Sequence, residues 1–188
     1  VGVEIEAKLK VNDLSVVRQR LEAIGGCLRS NVLESNMFFD TEDRALLAKD
    51  QGLRVRHTLN RSSHEETTTI TFKGPRRQGT LKSREERELK VGSVKDATSL
   101  LEALGYARVL TFQKRRESWL VKECDVELDE LPYLGVYVEI EGPSEAAVLE
   151  VREMLQLSDR PLIRASYVAL LMTHLQERNL NERVVIFK

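Results

Sequence analysis

The chain has 188 residues, a net charge of −1, 31% charged residues and 41% hydrophobic residues. Its length suffices for one domain over residues 1–188 with a sizeable core, and the even charge balance excludes the bulk basic surface of a nucleic-acid binder. No apolar run approaches the roughly 20 residues of a membrane span, and no basic segment followed by an apolar stretch opens the chain as a secretory signal would.

The first predicted element is a strand near 3–11, in which Glu4, Glu6 and Lys8 alternate with Val3, Ile5, Ala7 and Leu9. Side chains on a strand alternate between faces, so two carboxylates and an ammonium share one face. Such carboxylates can hold a hard divalent cation through oxygen, and the ammonium can meet a phosphate attached to it. For this strand alone, a solvated sheet face is the plainer reading. Asn12-Asp13 then predicts a helix start, with Leu14, Val17, Leu21 and Ile24 on one stripe and Gly25-Gly26 as the stop. An extended segment near 27–40 comes next, with a loop or short turn around Leu46 and Leu47. Strands are expected near 52–59, 66–73 and 81–90, and Ser93 caps a helix near 94–104 that Gly105 closes. Further strands are expected near 107–116, 118–122, 124–131 and 134–141, then helices near 144–156 and 165–178. The tail 183–188 reads as a short strand. Leu-Glu-Ala-Ile-Gly at 21–25 echoes Leu-Glu-Ala-Leu-Gly at 101–105, so two similar halves are expected.

Several of these strands carry a charged face. Arg54 and Arg56 share one, Thr69, Thr71 and Lys73 another, and Lys82, Arg84, Glu86 and Glu88 form a third run. Lys114 and Arg116, Glu127 and Asp129, and Glu139 and Glu141 complete the set. Like charges two apart on one face repel unless opposite charge lies between them, as a metal between acids or a polyphosphate between bases would. Eight or so antiparallel strands suggest a closed barrel. The predicted fold is therefore α+β: an antiparallel eight-stranded β-barrel with a charged interior and amphipathic helices outside. Buried charge on that scale is costly unless each group is paired or bound to a ligand, so the interior reads as a wet tunnel for an anionic, metal-bound ligand. Cys27 and Cys124 lie outside any metal-ligand spacing and read as free thiols of a reducing, cytoplasmic compartment. The three histidines show no ligand spacing.

These runs resemble the CYTH superfamily, also called triphosphate tunnel metalloenzymes. The resemblance rests on Glu4-x-Glu6-x-Lys8, Phe39-Asp40-Thr41, Leu53-Arg54-Val55-Arg56 and Thr71-Phe72-Lys73-Gly74-Pro75. It continues through Arg84-Glu85-Glu86-Arg87-Glu88, Lys114-Arg115-Arg116, Leu134-Gly135 with Glu139-Ile140-Glu141, and Ser166-Tyr167. The matches run in order over nearly the whole chain. The resemblance implies that Lys8, Arg54, Arg56, Lys73, Arg84, Lys114 and Arg116 contact phosphate oxygens, Arg as a planar fork and Lys as a point charge. It implies that Glu4, Glu6, Glu139 and Glu141 hold Mg²⁺ or Mn²⁺, with Glu86 and Glu88 close by and Asp129 a further metal-side carboxylate. Glu4, Glu6, Lys8, Arg56 and Lys73 are then the expected catalytic set. Glu127 reads as balancing a neighbouring Arg, Lys82 as either tunnel residue or strand-end charge, and Tyr167 as a packing residue with a bonded hydroxyl.

Three reactions share this tunnel in the family: cyclisation of ATP to cyclic AMP and pyrophosphate, hydrolysis of tripolyphosphate, and hydrolysis of thiamine triphosphate. The chain looks most like the class IV adenylate cyclase-like branch. A non-catalytic polyphosphate-binding module is the alternative of another class, and both intact Glu-x-Glu strands favour an enzyme over it. The expected partner is a small-molecule triphosphate, with no nucleic acid and no membrane. The sequence leaves the oligomeric state open, a homodimer included.

Overall fold

The computed structural model describes the backbone of residues 2–77 and 81–188, and the side chains of 5–77 and 81–188. Strand β1 (Gly2–Lys10) leads into helix α1 (Leu14–Ala23), which Asp13 caps by accepting the Ser15 N–H at 2.7 Å. Strand β2 (Cys27–Asp40) ends at a carboxylate that accepts the N–H groups of Thr41, Leu46 and Leu47. The Phe39-Asp40-Thr41 motif therefore builds the turn into the short helix α2 (Ala45–Ala48). Next come β3 (Gly52–Asn60), β4 (Glu66–Lys73), β5 (Lys82–Val91) and helix α3 (Val94–Ala103), capped by Ser93. The chain continues through β6 (Ala107–Val121), β7 (Cys124–Leu131), β8 (Gly135–Gly142), α4 (Glu145–Met154), α5 (Tyr167–Glu177) and β9 (Val184–Val185). Among the described residues no helix is long and apolar enough to cross a membrane.

The strands expected near 107–116 and 118–122 are one element. Through Glu117 and Ser118 the backbone is paired on both sides, with Asn31 and Ser30 of β2 and with Leu128 and Glu127 of β7. Its polar groups are satisfied by the ladders, so the chain has no reason to turn there.

The sheet order β2-β3-β4-β5-β1-β8-β7-β6 closes through β2–β6, antiparallel at every step, into the expected eight-stranded barrel. Closure removes the exposed edges of an open sheet. Strand β9 runs parallel to β6 at Thr111 and Phe112, beyond Arg115 where the β7 pairing stops.

The apolar parity of most strands faces out. Ala7, Leu9, Val126, Val138 and Ile140 pack with Val17 and Leu21 of α1 and Val148 and Val151 of α4. Met37, Phe39, Leu53 and Val55 pack with Ala97 and Leu101 of α3. Helix α5 does something further. Its Tyr167, Leu171 and Leu175 cluster with Leu110, Phe112, Leu131 and Tyr137, and these strand residues share the inward parity of Lys114, Asp129 and Glu139.

The internal echo is a structural repeat. Helices α1 and α3, their caps Asp13 and Ser93, and the left-handed glycines beyond them (Gly25, φ 76°; Gly105, φ 88°) are each 80 positions apart. Strand β1 pairs with β5 and β2 with β6. In those ladders residues 80 apart meet face to face, as Glu4↔Arg84 and Glu34↔Lys114. A pseudo-twofold axis across the barrel thus passes through both pairs.

Gly142 ends β8 just beyond Glu141, and a Cβ there would lie 2.6 Å from Cys124 Sγ and 3.1 Å from Val148 Cγ2. Gly142→Ala should cost about 1–3 kcal/mol through overpacking. Urea unfolding should show that loss, and Cys124→Ala in the same chain should recover part of it.

Candidate functional site

Along several strands the inward charges come in like-sign pairs, but across most strand boundaries they meet opposite signs. Lys82 on β5 faces Glu6 on β1 and donates to it at 2.6 Å. Lys8 faces Glu139 on β8 at 3.1 Å. Lys114 on β6 faces Glu34 on β2 at 3.3 Å, and Arg116 faces Asp129 on β7, with Nε and Nη2 each 2.6 Å from its carboxylate. Lys73 on β4 faces Glu86 on β5 and donates to it. The repulsion within each strand is therefore offset largely by the neighbouring strand.

Arg54 is different. It is buried on β3, and its Nη2 donates to Thr71 Oγ1 at 3.0 Å, which itself donates to Glu88. Glu88 lies 3.8 Å from Arg54 Nη2, and half of its side chain is in solvent. Among the described residues Arg54 Nε is buried with no hydrogen-bond partner, as is Thr69 Oγ1 on the next strand. Burial, reinforced by the like charge of Arg56, pushes the Arg54 guanidinium down to about 10. A buried polar group without a partner is rare in folded proteins, so the Arg54 guanidinium keeps a donor that its own neighbours do not use.

Arg56, two residues on, is clamped from β2. Its Nη1 lies 3.0 Å from Glu34 Oε1 and its Nε donates to Asn36 Oδ1 at 3.1 Å, while Asn36 Nδ2 donates to Glu34 at 3.3 Å. Reading the sequence for repeated charge misses both β2 residues, because Glu34 has no like charge two positions away on its face. The signal that could have found them is parity: Glu34 and Asn36 alternate with Met37 and Phe39, which pack outward. Glu34 is 2% exposed. Burial alone would raise its carboxyl, but Arg56 and Lys114 outweigh it and hold the group well below the usual carboxylate range. Arg84 is also inward and buried, but it braces the tunnel wall, donating to the carbonyls of Gly74 at 2.9 Å and Asp50 at 3.3 Å.

The acidic side of the lumen lies on β1, β7 and β8. Arg116 is its hub: besides Asp129 it donates to Glu139 at 2.5 Å and lies 3.4 Å from Glu127. Despite burial, Asp129 and Glu127 raise its guanidinium well above the usual range. Asp129 is fully buried and is taken up by Arg116, by Lys114 at 3.4 Å and by the Tyr167 hydroxyl at 2.9 Å. Its surroundings are those of a carboxylate that positions cations. Glu127 shares the inward parity and accepts from Ser118.

Glu6 and Glu141 stand directly opposite each other on β1 and β8. The Glu4 side chain lies outside the described residues, but its backbone places it two positions from Glu6 on the same parity. Opposed like charges are destabilising, and hard oxygen donors on adjacent strands suit Mg²⁺ or Mn²⁺. The donor set thus fits such an ion by type and register. Among the described residues no three acids, histidines or cysteines are gathered into a finished metal site, and Lys82 holds Glu6.

The CYTH domain family model matches residues 2–167. The chain belongs to this family. It is 27% identical over 156 residues to adenylate cyclase CyaB of Aeromonas hydrophila, covering 81% of this chain and 76% of that protein. The PH1819 protein of Pyrococcus horikoshii OT3 has the same fold, with a TM-score of 0.79 and 26% identity over 90% of this chain and 98% of that one. HpAC1 of Hippeastrum, for which a dominant triphosphatase activity is stated, matches with a TM-score of 0.69 at 21% identity, over 90% and 95% of the two chains. A CYTH barrel with its charged faces turned inward is what the sequence motifs implied.

The depressed Glu34 carboxyl makes a pH prediction. Its unfolded counterpart titrates near 4.3, so its stabilisation is complete above about that pH and is lost progressively as pH falls from there toward the lower folded value. Glu34→Gln should be less stable at pH 7, on the order of 3 kcal/mol for breaking a buried pair, and should lose less stability than the parent on acidification. Melting curves from pH 7 to 3 on both proteins check this.

Proposed function

We propose that this CYTH barrel is a divalent-metal-dependent enzyme acting on a triphosphate in its tunnel, with conversion of ATP to cyclic AMP and pyrophosphate as the leading reaction. The observation that carries the reading is the buried Arg54 guanidinium with its unpartnered Nε, beside the clamped Arg56 and opposite the carboxylate pair Glu6–Glu141. Arg54 and Arg56 on β3, with Lys73 on β4, form the phosphate-binding wall, which Arg84 on β5 braces. Lys8 and Lys114 meet the deeper phosphate oxygens, and Arg116 holds Asp129, Glu127 and Glu139 in place. Glu6 and Glu141, with Glu4, would hold Mg²⁺ or Mn²⁺. Such an ion, when bound, neutralises phosphate charge and polarises the phosphoryl group. Cyclisation forms a bond from the ribose 3′-oxygen to the α-phosphorus and breaks the bond from that phosphorus to the bridging oxygen, releasing pyrophosphate and passing the 3′-hydroxyl proton to water. The protein's share is positioning and charge stabilisation.

A second reading keeps the same site and replaces the 3′-oxygen with water. It is favoured by the make-up of the wall: the inward cations recognise phosphate, and none of them selects a nucleobase. HpAC1 shows that this fold supports triphosphate hydrolysis. A thiamine triphosphatase needs a further site for its organic group. A binding module without catalysis would have no use for opposed Glu6 and Glu141.

Incubation with ATP or tripolyphosphate and Mg²⁺ or Mn²⁺, with separation of the products, tests the proposal. Cyclic AMP with pyrophosphate establishes the cyclase, and orthophosphate establishes the hydrolase. Binding without any product leaves a binding module. Glu6→Gln should lower turnover by roughly a hundredfold, with melting curves showing a folded protein at the assay temperature. Arg56→Ala should instead weaken triphosphate binding roughly ten- to a hundredfold, the loss of charge-assisted hydrogen bonds. Wild-type turnover in Glu6→Gln would remove the metal assignment.

A further inference from the structure

Tyr167 begins helix α5, yet its side chain lies inside the barrel. The hydroxyl donates to Asp129 Oδ2 on β7 at 2.9 Å, and the ring centroid is 4.1 Å from Lys8 Nζ on β1 and 5.5 Å from Lys114 Nζ on β6. Strands β1 and β6 are separated around the barrel by β8 and β7. A ring that reaches both therefore stands across the half of the lumen walled by β1, β8, β7 and β6. Tyr137, inward on β8, meets it edge-on with centroids 5.3 Å apart. Behind the ring, Leu110, Phe112 and Leu131 continue the inward faces of β6 and β7 and pack with Leu171 and Leu175 of α5. The approach to the helix is pinned as well: the Ile163 N–H donates to the Lys8 carbonyl at 2.8 Å, and Lys8 Nζ donates to the Ala165 carbonyl at 3.0 Å.

We infer that Tyr167 is the floor of the tunnel and limits the length of phosphate chain the site accepts. The inference rests on the triphosphate reading and adds a substrate class. The ligand enters from the end opposite α5, presents a short terminal phosphate chain, and stops at the ring, with Lys8 and Lys114 against its last phosphate. A nucleoside or other organic group then stays at the mouth. A linear polyphosphate cannot thread past the ring, because the space beyond is apolar and filled. Removing the ring would open room for a further phosphoryl group beside the same two ammoniums, a favourable exchange for an anion.

Calorimetric titration with tripolyphosphate and tetrapolyphosphate in the presence of Mn²⁺ separates the two claims. The wild-type protein should prefer tripolyphosphate. Tyr167→Leu and Tyr167→Ala should shift the ratio of the two affinities toward tetrapolyphosphate by roughly tenfold, the scale of discrimination that one small group commands in a fitted pocket. Tyr167→Phe, which keeps the ring and loses only the hydroxyl, should retain the wild-type ratio. Tyr167→Leu keeps apolar bulk in the α5 cluster and provides the folded variant if Tyr167→Ala melts too low. An unchanged ratio in a folded variant that still binds tripolyphosphate overturns the floor and leaves the triphosphate site standing. Failure of the wild-type protein to bind tripolyphosphate overturns both.

Discussion

Charge inside a protein has to be matched, and in this barrel the matching is done across strand boundaries. That requirement couples site and fold. A one-residue slip in any ladder would exchange the two faces of a strand. It would put Glu6 and Lys8 under α1 and α4, and Ala7 and Leu9 into the lumen. The registers that bring Lys82 to Glu6, Lys8 to Glu139 and Arg116 to Asp129 also put the apolar parity under the helices. The roles of the two faces divide accordingly. Buried ion pairs roughly break even against their desolvation, so the net stability comes from the outer clusters beneath α1, α3 and α4. The lumen is therefore free to serve the ligand.

Within that matched interior, Arg54 stands apart. Its neighbours reduce the cost of its burial without removing it, since Thr71 is neutral and Glu88 is half in solvent. At neutral pH this guanidinium is charged and destabilises the folded state. The penalty is relieved only as pH rises through its lowered value, or when an anion supplies the missing oxygen. Contributions of this kind are expected where a protein holds a site ready for its ligand at the expense of its own stability.

The sequence discloses parity very well and third-dimensional partners poorly. Strands with two or more like charges on one face, such as Arg54-x-Arg56 and Glu139-x-Glu141, are legible because period-two alternation is strict and the like signs demand an explanation. Strand β2 is legible as extended but not as a wall of the site, since Val32, Glu34, Asn36 and Phe38 mix apolar, acidic and neutral side chains on the inward face. What makes Glu34 functional is its register with Lys114 and its reach to Arg56, and neither is a property of β2 alone. The break expected within β6 has the same origin. Glu117-Ser118 looks like a turn until both flanking ladders are present. Tyr167 is legible as a packed aromatic with a bonded hydroxyl, but the helical stripe to which it belongs says which residues are buried and not against what. That β6, β7 and β8 turn apolar on their inward parity at Phe112, Leu131 and Tyr137 could have pointed to a plug at that end.

The repeat explains why such a tunnel would have a floor at one end and a mouth at the other. The pseudo-twofold axis through Glu4↔Arg84 and Glu34↔Lys114 exchanges the two ends of the barrel, because the paired strands β1 and β5, and β2 and β6, run antiparallel. Were the halves equal, both ends would be built alike. They differ in the segment that leaves their last strand. The second half leaves β8 into α4 and then α5, whose apolar stripe covers Leu110, Phe112 and Tyr137. The first half leaves β4 at Lys73 and enters β5 only nine positions on, at Lys82, and among the described residues no helix of that half packs on the opposite end as α5 does on this one. The charges on the axis diverge too, with an acid in the first half answered by a base in the second at both crossing points. A duplicated scaffold is thereby made directional: matching helices and caps hold the walls, while one appended helix and a few sign changes decide where an anion can enter and where it must stop.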